Sequence, residues 1–60
     1  MYAIEYVDPD GRAVRELVAA RHRITRGGVT YAWTGGGHKI GAGYPPRLGD
    51  DGMIWTYVPV

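Results

Sequence analysis

Alternation of apolar and polar positions is the strongest pattern in this chain. Residues 2–7, "YAIEYV", set Tyr2, Ile4 and Tyr6 against Ala3 and Glu5, the period-two signature of a half-buried strand. "DPDG" at 8–11 predicts a turn, because Pro9 fixes the backbone at the second position and Asp10 and Gly11 tolerate the left-handed conformation that closes it. "VTYAWT" at 29–34 places Val29, Tyr31 and Trp33 on one face and Thr30, Ala32 and Thr34 on the other. "MIWTYV" at 53–58 is apolar on both faces except at Thr56, which predicts a strand central to its sheet and ended by Pro59.

Residues 12–25 carry two competing patterns. Ala13, Val14, Leu17, Val18, Ala20 and Ile24 fall close to helical spacing, and Asp10 is placed to cap a helix. Against this, "DPDG" before and "RGG" at 26–28 after resemble hairpin connections, and "RHRIT" alternates His22 and Ile24 with arginines. One long, bulged strand is the preferred expectation, with a helix over about 12–23 as the alternative. Four or five short strands joined by Gly and Asp turns then predict an all-β fold, either a small antiparallel sheet or an SH3-like barrel. With the helix the chain becomes α+β.

Length narrows this further. Sixty residues read as one small domain, 1–60, near the lower limit for burying an adequate core, and the absence of cysteine removes disulfides and cysteine-rich zinc as staples. Homo-oligomerisation is therefore expected. No apolar run approaches the roughly 20 residues that span a bilayer. "MYAIEYVDPDG" lacks the basic start and apolar centre of a secretory signal, so the expected location is cytoplasmic, away from membranes.

Chemistry is limited by what the chain lacks. Without Ser or Cys no such nucleophile exists, and His22, His38 and the Asp50–Asp51 pair show no metal-ligand spacing. The expectation is a non-enzymatic protein with no metal or cofactor. Charge is uneven: all seven basic residues lie within 12–47 beside a single acid, Glu16, and the other acids sit toward the two ends. Such local excess attracts anionic partners although the net charge is only +1.

"TGGGHKIGAGYPPR" at 34–47 gathers five of the ten glycines. It is not a Walker loop, because Lys39 is followed by Ile40 rather than Ser or Thr, and Ile40 also stands where the dinucleotide fingerprint needs its third glycine. Consecutive glycines nevertheless let backbone N–H groups converge on an anion. A short strand near Lys39–Ile40 is compatible with the pattern, whereas Pro45 and Pro46 exclude ladder pairing.

The candidate ligand site is Trp33, Gly36, Gly37, His38, Lys39, Tyr44, Arg47, Trp55 and Tyr57, with backbone and cations for phosphate and rings for a base. The expected ligand is an anionic small molecule of nucleotide type. The alternative is a protein-interaction module or inhibitor that presents Tyr and Trp with an arginine surface, Arg21, Arg23 and Arg26, to an acidic protein. Nucleic acid ranks third, since a higher net charge is usual for it. Short length and abundant Ala, Gly, Arg, Val and Asp fit an accessory protein of a virus or mobile element.

Overall fold

The computed structural model describes residues 1–39 and 51–60. They form five strands, β1 (Tyr2–Val7), β2 (Ala13–Val18), β3 (Ile24–Arg26), β4 (Val29–Lys39) and β5 (Met53–Pro59). These build one curled half-barrel sheet in the order β2-β1-β5-β4-β3. The fold is all-β, and β5 occupies the centre of the sheet, as its apolar faces predict. Its pairing with β4 is antiparallel and with β1 parallel, the one parallel pair among the described residues.

Two hairpins come from local turn chemistry. In the first, Asp8 Oδ1 accepts from the N–H groups of Asp10 (3.0 Å) and Arg12 (2.8 Å), tying the "DPDG" turn to its own side chain. In the second, Gly27 and Gly28 have φ of 57° and 79°, the pair of left-handed residues that a two-residue hairpin turn demands. The turns touch, with Pro9 Cγ lying 2.9 Å from where a Cβ of Gly27 would sit. Both hairpins are thereby held at one end of the sheet.

Residues 12–25 are neither one strand nor a helix. β2 stops at Val18, the backbone bends through 19–21, and β3 starts at Ile24. The reason is topological: β2 and β3 are the two outer strands, so the chain must leave one edge and cross to the other. Ala19 and Ala20 supply little strand preference to resist that crossing. The helical spacing misleads because β2 alternates, with Val14, Glu16 and Val18 half-buried and Ala13, Arg15 and Leu17 exposed.

The register assigns the two faces. Tyr2, Ile4 and Tyr6 stand opposite Val18, Glu16 and Val14, and Trp33 stands opposite Tyr57. On this inner face Ile4, Tyr6, Tyr31 and Tyr57 form the core, and Val14, Val18, Ile24, Val29 and Trp55 pack against it. Glu16 would be a misplaced charge there, yet its carboxylate accepts from Arg26 on β3 and from the Tyr6 hydroxyl at 3.1 Å. One ion pair thus bridges the two edge strands of the curled sheet.

The described part of the glycine run, residues 34–39, is strand rather than loop. β4 continues through Lys39, and Ile40 lies outside the described residues. Between Trp33↔Tyr57 and Gly37↔Trp55 the register slips, so that Thr34, Gly35 and Gly36 face Thr56 alone. Gly37 then crosses β5 so closely that a Cβ would lie 2.8 Å from the Ile54 carbonyl oxygen. Backbone cannot yield there as a flexible side chain would. Gly37→Ala is expected to cost about 1–3 kcal/mol, measured as a lower urea midpoint at unchanged slope. A midpoint equal to the parent's would mean that the crossing is loose.

Candidate functional site

Three rings from three strands surround one cation. Tyr2 opens β1, Trp33 lies on β4 and Trp55 on β5, and the register puts all three on the inner face. With only a glycine opposite Trp55, no side chain from position 37 competes for its ring, and Trp33 meets it edge-on at 4.9 Å between centroids and 88° between planes. Arg21, from the irregular segment linking β2 to β3, lays its guanidinium carbon 4.3 Å from the Trp55 centroid, 5.0 Å from Tyr2 and 5.7 Å from Trp33.

Hydrogen bonds lock the two indoles. Trp33 Nε1 donates to the Gly36 carbonyl at 2.7 Å, which the slipped register brings within reach. Trp55 Nε1 donates to Asp51 Oδ2 at 2.8 Å, while Asp51 Oδ1 accepts from the Met53 N–H at 3.0 Å. Burial opposes ionisation of Asp51, but these two donors and the field of Arg21 outweigh it and hold the carboxyl below its ordinary value. Among the described residues no carboxylate stands within ion-pair distance of Arg21. Beside it opens a shallow concavity of about 430 Å³ lined by Tyr2, Ala19, Ala20, Arg21 and Trp33.

The sequence-derived site divides. Trp33 and Trp55 come together, and Lys39, two residues from Gly37 and opposite Met53, shares their face. His38 points to the other face, with Nδ1 3.6 Å from Glu5, which also meets Arg15 Nε (3.4 Å) and accepts from Thr56 Oγ1 (3.1 Å). Gly36 and Gly37 belong to β4 and form no open loop. Tyr57, expected as an exposed stacking ring, is only 2 % exposed. Its hydroxyl has no partner among the described residues, and burial pushes the phenol pKa up. Tyr44 and Arg47 lie outside the described residues.

Of the arginine surface, Arg26 is committed to Glu16, Arg23 is exposed, and Arg21 is the centre of the ring cluster rather than a rim residue. Sequence reasoning missed Tyr2 and Asp51. The strand alternation of Tyr2 with Ile4 and Tyr6 did carry the face of Tyr2, but only the parallel pairing of β1 with β5 places that face beside Trp55. Nothing local in "DDGMIW" signals that Asp51 reaches Trp55.

Among the described residues no group of three His, Asp or Glu could hold a metal ion, and no helix is long and apolar enough to cross a membrane. Comparison with protein-family models, with characterised proteins and with solved structures finds no match to this chain.

The Asp51 anchor makes the site acid-sensitive. Because its folded pKa is depressed, the contribution of the carboxylate is present above the ordinary value of 3.8 and is lost as pH falls through the lower folded value. Tryptophan emission is expected to change below about pH 3.8 as Trp55 is released, and Asp51→Ala should show the released emission already at neutral pH. An acid titration identical in parent and variant would show that Asp51 does not hold the indole.

Proposed function

We propose that this chain is a non-enzymatic binding protein for an anionic, ring-bearing ligand of nucleotide type, received at the Arg21–Trp33 concavity. The supporting observation is the guanidinium of Arg21 held over Trp55 at 4.3 Å with Tyr2 and Trp33 around it. Cation–π attraction positions the guanidinium through its ring contacts, and among the described residues its N–H fork has no acceptor, so a phosphate finds a donor set already oriented. The rings lower the entropy that an exposed arginine would lose on binding.

Further features favour an anion with a flat group. Lys39 lies on the same face, and His22 and Arg23 follow Arg21 on the same exposed segment. Trp33 is 40 % exposed, offering a surface for stacking. The concavity of about 430 Å³ falls within the usual range for small-molecule sites. This moves the ligand site from the glycine run, whose residues 35–37 lie within β4, to the crossing between β2 and β3. Self-association is part of the proposal, since Val7, Leu17 and Val58 remain exposed on the small sheet.

Titration with AMP, followed by tryptophan emission and calorimetry, tests the reading. Binding is expected, and both Arg21→Ala and Arg21→Lys should weaken it by about tenfold or more, since an ammonium keeps the charge but not the fork. Matching circular dichroism would confirm that the variants fold. Absence of AMP binding, or equal binding by Arg21→Ala, would overturn the proposal; affinity for an acidic protein in place of AMP would favour the protein-interaction alternative.

A further inference from the structure

We infer that the site distinguishes phosphate and ring from other chemistry but does not distinguish one base from another. This rests on the nucleotide reading above and adds what that reading leaves open, the specificity. Base identity is read by donors and acceptors aligned with the edge of the base, and each correct pair must be present and unoccupied to discriminate. Both indole N–H groups of the ring cluster are already spent. Trp33 Nε1 is bound to the Gly36 carbonyl and Trp55 Nε1 to Asp51, so neither indole N–H is available to a ligand.

Asp51 is turned to other partners. Its Oδ2 accepts from Trp55 and its Oδ1 from Met53, and Asp51 is not among the described residues that line the concavity. Around the concavity itself, Ala19 and Ala20 contribute methyl groups, and Arg21 is the phosphate anchor. Among the described residues, the remaining polar side-chain group there is the Tyr2 hydroxyl. A hydroxyl rotates and is both donor and acceptor, so it satisfies a carbonyl or an amino edge alike.

What is left for the base is the ring face. Stacking on an aromatic platform tolerates every base because every base has a π-face, and its strength varies modestly among them. Recognition therefore separates into two parts: Arg21 for the phosphate and Trp33 for any planar ring. The ligand class is a nucleoside phosphate of unspecified base, whether a free mononucleotide or the terminus of a single strand.

The experiment measures the affinities of AMP, GMP, CMP and UMP, with adenosine, inorganic phosphate, and four-nucleotide oligo(dA) and oligo(dT) as further probes. The four mononucleotides are expected to agree within about fivefold, and adenosine and phosphate should each bind at least about tenfold more weakly because each lacks one half of the recognition. Oligo(dA) and oligo(dT) should agree with each other. Parity with the mononucleotides identifies a free nucleotide as the source, and tighter binding identifies a strand. A preference of about thirtyfold or more for one base, still dependent on Arg21, would overturn base indifference while leaving the nucleotide reading intact. If none of the four mononucleotides binds, the nucleotide reading itself fails, and the inference with it.

Discussion

The described residues form a single sheet with no second layer, so the sheet has to cover its own apolar face, and it does so by curling. Most of the architecture follows from that requirement. The edge strands β2 and β3 carry Glu16 and Arg26 inward, where their ion pair joins the two margins of the sheet. A charge pair is an uncommon choice for the inner face, but both partners remain partly exposed there, so the desolvation that penalises deeply buried pairs is limited.

The same requirement explains why tyrosines fill the interior of a chain that has no phenylalanine. A curled sheet of few strands has no room for many side chains, so each must be large and must reach the rim. Tyr31 spans the inside and donates to the Val7 carbonyl at 2.8 Å, just beyond the point where the parallel ladder between β1 and β5 ends at Glu5↔Thr56. Tyr6 packs against Tyr31 with ring centroids 4.8 Å apart and planes tilted by 46°, and its hydroxyl reaches Glu16. Tyr57 is the exception, a phenol whose oxygen is buried with no partner among the described residues.

Much of this was legible in the residues. Period-two alternation located β1 and the start of β4, the nearly continuous apolar run 53–58 located β5, and the Asp8–Gly11 and Gly27–Gly28 turns follow from their own backbone chemistry. What could not be read is what depends on distant partners. Whether 12–25 bends was decided by the distance between two edges of a sheet that forms only when all strands assemble. The glycines read as open loop because they lack side chains to show alternation, yet one of them is required by the close crossing of Gly37 over β5. Of the residues expected at a ligand site, Trp33, Trp55 and Lys39 come to one face and strand parity turns His38 to the other, while Arg21, expected only as part of a basic stripe, sits at the centre of the rings.

Fold and proposed function meet at Arg21. The crossing from β2 to β3 that the curl imposes is also what carries this guanidinium across the mouth of the ring cluster, between strands that the chain contributes from its beginning, middle and end. The most direct measurement is the NMR shift of the Arg21 side-chain protons, compared between the parent and Trp55→Leu. Ring currents from the surrounding aromatics should move these protons well upfield, and the displacement should shrink in the variant. Unperturbed shifts, the same in both proteins, would place Arg21 in solvent and remove the preorganised anion anchor on which the functional proposal stands.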